Sequence, residues 1–103
     1  MTADIYHIIA AEEERVELKL ASENHPLFRA HFPGNPILPG FAQIEIIAEI
    51  RQDEVVRVPH GKFISHLFPN DTIIYHIRQE DGITKIKVTR DGKKVSEIRY
   101  EAR

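Results

Sequence analysis

The spacing of apolar residues changes twice along this chain of 103 residues. "IYHIIA" (5–10) is a short apolar run, and "RVELKL" (15–20) alternates. In the second segment Val16, Leu18 and Leu20 share one side and charges take the other, which predicts a half-buried strand. Residues 21–40, "ASENHPLFRAHFPGNPILPG", are rich in turn residues and predict an irregular stretch. In "FAQIEIIAEIRQ" (41–52), Phe41, Ile44, Ile47, Ala48 and Ile50 recur at steps of three and four, predicting a helix that Pro39 and Gly40 suit as its entry. The period then falls to two. Residues 61–68, 72–78, 83–89 and 95–102 read as strands, separated by Pro-Asn-Asp, Glu-Asp-Gly and Arg-Asp-Gly. Asp-Gly between alternating segments is a strong hairpin signal. The expected order is two strands, one helix and an antiparallel meander, in a single α+β domain spanning 1–103.

The helix is apolar nearly all round, because Ile46 adds to the residues above. Such a helix is usually buried, here inside a sheet that wraps around it. Glu45 sits in its middle, and a buried carboxylate without partners is costly. Two readings stay open. Glu45 lies with Gln43 and Glu49 on a narrow exposed edge, or it is a carboxyl in an apolar cavity. There desolvation and Glu49 one turn on would favour its protonated, acid-donating form.

Composition narrows the function classes. A net charge of −2 and a pI of about 6.3 give no electrostatic footprint for nucleic acid or an anionic membrane. No apolar run reaches membrane-spanning length, and "MTADIYHIIAAEEER" lacks the basic flank and apolar core of a signal peptide. The absence of cysteine excludes disulfides and thiol nucleophiles, and agrees with a cytoplasmic location. His7, His25, His60, His66 and His76 show no metal-ligand spacing and read as incidental.

His31 differs in its context. "HFPGNPILPG" (31–40) places Pro33, Pro36 and Pro39 after it, with Gly34 and Gly40 between and beyond them. The prolines fix φ and the glycines permit close backbone approach, so the loop can hold one imidazole in place. It ends at a helix N-terminus, where backbone N–H groups favour negative charge. A histidine base, backbone donors and a carboxyl on the next helix form a proton-transfer set.

"HFPGNPILPGFAQIE" resembles the motif His-Phe-Pro-Gly-x-Pro-x-x-Pro-Gly, followed by Glu, of the hotdog-fold 3-hydroxyacyl-acyl carrier protein dehydratases. His31, Phe32, Pro33, Gly34, Pro36, Pro39, Gly40 and Glu45 all fall in place. The likeness continues more weakly through the later strands. It implies an antiparallel sheet wrapped around one long central helix, and homodimers, or trimers of dimers, with sites at the chain interface. It further implies that 3-hydroxyacyl thioesters on the phosphopantetheine of acyl carrier protein, or on coenzyme A, lose water to give enoyl thioesters in fatty-acid or related polyene synthesis. No metal or redox cofactor is implied. By the same resemblance His31 removes the proton next to the thioester carbonyl, and Glu45 of the other chain protonates the departing hydroxyl. The Gly40 N–H stabilises the enolate oxygen, the Ile37 carbonyl fixes the imidazole tautomer, and Phe41 belongs to the same positioning group. Phe32, Gly34 and Pro39 line the substrate.

The chain departs from the fatty-acid enzymes in being shorter and in carrying Glu49 where they usually have Gln. "PGFAQI" is closer to the small dehydratases of aryl-polyene clusters, which often have Asp at the position of Glu45. A thioesterase on the same fold, or a non-catalytic subunit, remain as alternatives. The first has no special use for His31; the second is expected to lose His31 or Glu45, and both are present.

Overall fold

A computed structural model describes residues 5–30 and 34–103. Strands β1 (Tyr6–Ala11) and β2 (Arg15–Leu20) form a hairpin, followed by a short helix α1 (Pro26–Ala30). The main helix α2 (Gly40–Arg51) leads into β3 (Val55–Phe63), β4 (Thr72–Glu80), β5 (Ile83–Arg90) and β6 (Lys93–Ala102). All six strands make one antiparallel sheet in the order β1-β2-β4-β5-β6-β3. The architecture is α+β, as expected.

The two Asp-Gly turns act as the sequence predicts. Asp81 and Gly82 have φ of 53° and 78°, and Asp91 and Gly92 have 54° and 78°. Positive φ at both central residues gives the turn whose twist matches paired strands. The alternating residues of β2 point as expected, with Val16, Leu18 and Leu20 buried.

Helix α2 lies on one face of the sheet. Ala42, Ile46 and Ile47 are fully buried in a core shared with Leu18, Ile73, Tyr75, Ile98 and Tyr100. Pro39 enters with extended backbone. Gln52 leaves in the left-handed region; its N–H reaches the Glu49 carbonyl and the Asp53 N–H the Ala48 carbonyl. That paired arrangement satisfies carbonyls that the helix end leaves open. At 12 residues α2 is short, not the long helix expected.

Three further expectations are corrected. Gln43 is buried rather than on the exposed edge; the exposed stripe is Phe41, Glu45 and Glu49, spaced at successive helical turns. The segment read as a strand over 61–68 leaves the sheet at Phe63, and the Ile64 and Ser65 N–H groups both turn to the Val95 carbonyl. That strand begins earlier, at Val55, although it contains Pro59. A proline is tolerated because β3 is an edge strand, where one side of the backbone needs no ladder partner. Finally, β3 does not join β4 in a meander. It pairs with β6 at the far edge, and β2 takes the place beside β4.

Candidate active site

The proline-rich loop delivers its last residues to a cavity of ≈ 360 Å³ at the start of α2. Ile37, Pro39, Gly40 and Phe41 line it together. Gly40 opens the helix, so its N–H has no carbonyl within the helix to bond. The opposite wall is Phe63, Ser65 and His66. A Cβ built on Gly40 would lie 2.8 Å from the Phe63 ring, so only glycine lets the ring sit this close.

His31, Phe32 and Pro33 lie outside the described residues. Gly34, just after them, is exposed with φ of 80°, a backbone state that suits glycine and turns the chain. Leu38 then anchors the end of the loop: it is buried, and its N–H donates to the Leu67 carbonyl at 2.8 Å.

Glu45 is not enclosed within one chain. It is exposed, in an open cavity of ≈ 470 Å³ shared with Phe41, Ile44, Ala48, Glu49 and Val58. The wall formed by Val55 and Val58 belongs to edge strand β3. Phe41 is the residue common to this cavity and the one at Gly40. A single chain therefore sends the Gly40 donor and the Glu45 carboxyl into different cavities.

Glu49 is engaged from outside its helix. The Tyr6 hydroxyl donates to its Oε1 at 2.6 Å. Burial first, and then this bond and the charge of Glu49, push the Tyr6 phenol up to about 12. Gln43 ties the helix to the sheet from beneath. Its Oε1 accepts from the Ser96 hydroxyl at 2.7 Å, and its carbonyl accepts from the Tyr75 hydroxyl at 2.9 Å.

Of the histidines read as incidental, His25 accepts the Leu27 N–H at its Nδ1 and caps α1. His76 lies 3.0 Å from the Thr89 hydroxyl; burial, then Lys87 and Arg15, hold its ring below the usual value. His66 is different, because it faces the Gly40 cavity with Ser65 and Phe63. The sequence reading missed these three by placing them in a strand. Gly61 offered no clue, because a Cβ there would meet the Phe63 ring only at ordinary contact distance. Among the described residues no three potential metal ligands converge, and no helix is long and apolar enough to cross a membrane.

Comparison with known proteins shows the family and the fold. A family model described as ApeI-like, ApeI dehydratase, matches residues 8–99. The 3-hydroxyacyl-acyl-carrier-protein dehydratase FabZ of Enterococcus faecalis is 31% identical over 103 aligned positions, covering 82% of this chain and 73% of that one. FabZ of Ligilactobacillus salivarius is 29% identical over 80% of this chain and 71% of its own. Among solved structures, the dehydratase heterocomplex ApeI:P from Xenorhabdus doucetiae superposes with a TM-score of 0.76 at 22% identity, covering 96% of both chains. Mouse thioesterase superfamily member 2 superposes at 0.61 with 14% identity, covering 95% of this chain and 82% of that one, a likeness of fold alone. The fold is the hotdog fold, and the chain belongs to the ApeI-like dehydratase family.

Proposed function

We propose that the protein dehydrates 3-hydroxyacyl thioesters carried on phosphopantetheine, in fatty-acid or polyene synthesis, at sites shared between the two chains of a homodimer. The observation that carries this reading is the separation of Gly40 and Glu45 into two cavities of one chain, both bordered by Phe41. A second copy set against the open edge of β3 would cover Val56 and Val58, both more than 40% exposed, and close the Glu45 cavity.

In such a site His31 takes the proton from the carbon next to the thioester carbonyl, and the electron pair moves toward the carbonyl oxygen. The Gly40 N–H meets the developing charge with a fixed donor. The Ile37 carbonyl holds the imidazole in the tautomer that leaves its other nitrogen basic. Glu45 of the other chain gives its proton to the 3-hydroxyl, the C–O bond breaks, and water leaves with an enoyl thioester remaining. No step needs a metal or redox cofactor.

The test is turnover of paired 3-hydroxyacyl and saturated acyl thioesters, on carrier protein and on coenzyme A, before and after chelation. Enoyl product from the hydroxy substrates, unchanged by chelator, is the expected result. Free thiol from both series, without enoyl product, would assign a thioesterase instead.

A further inference from the structure

The face of the sheet away from α2 carries a row of basic groups straight across four strands. Arg78 on β4 stands opposite Lys85 on β5, Lys85 opposite Arg99 on β6, and Arg99 opposite His60 on β3. In the parallel row, His76 stands opposite Lys87, Lys87 opposite Glu97, and Glu97 opposite Lys62. Neighbouring strands are only about 4.8 Å apart, and like charges directly opposite destabilise a sheet.

The face does not neutralise itself. Lys85 pairs with Glu80, and Glu97 pairs with Lys94 and lies 3.6 Å from His60. Among the described residues Arg78, Lys87, Arg99 and Lys62 make no ion pair. Glu80 is held below its ordinary range by Lys85 first, with Arg78 and Arg99 adding to it. Several cations thus lean on one carboxylate. Between the rows lies an open concavity of ≈ 440 Å³, lined by Arg78, Lys85, Lys87 and Arg99 together with Glu14 and Glu97.

We propose that this face docks an acidic helical segment of a partner protein, with carboxylates on Arg78, Lys87 and Arg99. Arg78 and Arg99 stand two strands apart, about 10 Å, close to the roughly 11 Å between carboxylates two turns apart on a helix, and Lys87 lies on the strand between them. Glu14, Glu80 and Glu97 are interspersed among the cations and the whole chain is net −2, which works against the unbroken charge of a nucleic-acid backbone. The surface is across the sheet from the helix that carries Gly40 and Glu45, so the partner is held without blocking either cavity.

The test uses the full chain and a fluorescent helical peptide of about four turns, with Glu along one face, read by anisotropy at low and high salt. Saturable binding that weakens with salt, and falls at least about tenfold in the Arg78→Gln/Lys87→Gln/Arg99→Gln variant, is the expected result. That variant should melt no lower than wild type, because it relieves repulsion. If it fails to fold, Arg78→Gln and Arg99→Gln are read singly, and each should weaken binding. Equal binding by variant and wild type overturns the proposal. So does tighter binding of an oligonucleotide of matched length, or sedimentation showing that the same residues instead hold copies of this chain together. None of these readouts depends on dehydratase activity.

Discussion

The Phe63 ring fills the space into which a side chain on Gly40 would project, with three of its carbons 2.8–2.9 Å from that point. Phe63 is 44% exposed, so its ring can swing away. Gly40→Ala should therefore leave thermal stability within a few degrees, while shifting the wall of the cavity over the helix N-terminus. We expect kcat/KM to fall on the order of tenfold to a hundredfold, as for small misplacements in a site. Unchanged kinetics in Gly40→Ala would separate this contact from catalysis.

His31→Ala should lose on the order of a hundredfold or more in turnover, the usual loss with a positioned base. His76→Ala, which gives up only the contact with the Thr89 hydroxyl, should stay within a few-fold. Parallel steady-state assays with circular dichroism of each variant check this. If both lose activity alike with the fold intact, His31 has no special role.

Mixing His31→Ala with Glu45→Gln, each dead alone, should restore roughly a quarter of wild-type activity after subunit exchange, by counting in a two-fold dimer. Half the dimers are then mixed, and each holds one intact site. A mixture that stays dead after proven exchange would place both residues in one chain.

The hydrogen bond from Ser96 to Gln43 is buried, so breaking it leaves a polar group unsatisfied. Gln43→Leu or Ser96→Ala should each cost about 1–3 kcal/mol. The double variant should cost less than the sum, since neither partner is then orphaned. Urea unfolding of the four proteins reads the coupling directly, and strict additivity would contradict it.

All three tyrosines of the chain have raised phenols, and there is no tryptophan to obscure them. Burial leads in each case, followed by Glu49 at Tyr6, by the charges of Tyr6 and Tyr100 at Tyr75, and by the Asp53 hydrogen bond at Tyr100. The unfolded chain ionises them near 10.0, and the folded chain holds Tyr6 to about 12. Their contribution to stability is complete below pH 10.0 and is lost as pH rises through the folded values. Absorbance at 295 nm should rise together with the loss of circular dichroism. A phenolate step near pH 10 with the fold intact would contradict this.

The regular half of the fold is legible in the sequence because its signals are local. Val16, Leu18 and Leu20 alternate, and Asp81-Gly82 and Asp91-Gly92 turn within two residues. Partner choice is not local. Nothing in "VVRVPHGKF" states that it pairs with β6, and Pro59 hides it as a strand unless its edge position is known. Gln43 looks like a surface residue by type, yet two sheet side chains, from Tyr75 and Ser96, bury and bond it. Gly40 is marked by the motif, and Glu45 already by its place in an apolar helix. That they open to separate cavities depends on where the sheet runs, which spacing along one helix does not encode.

The far-edge placement of β3 also has a bearing on how the molecule is made. Its ladder partner is β6, so the strand that walls the Glu45 cavity is fixed in place by a segment made some forty residues later. While the ribosome is still adding Lys93–Ala102, the backbone of residues 55–63 has no strand to join. Long-range closure of this kind is slow compared with hairpin formation. The nascent chain thus holds an unpaired backbone edge open until its closing strand emerges. Chaperone capture in that interval would act on β3, the strand proposed to meet a second copy.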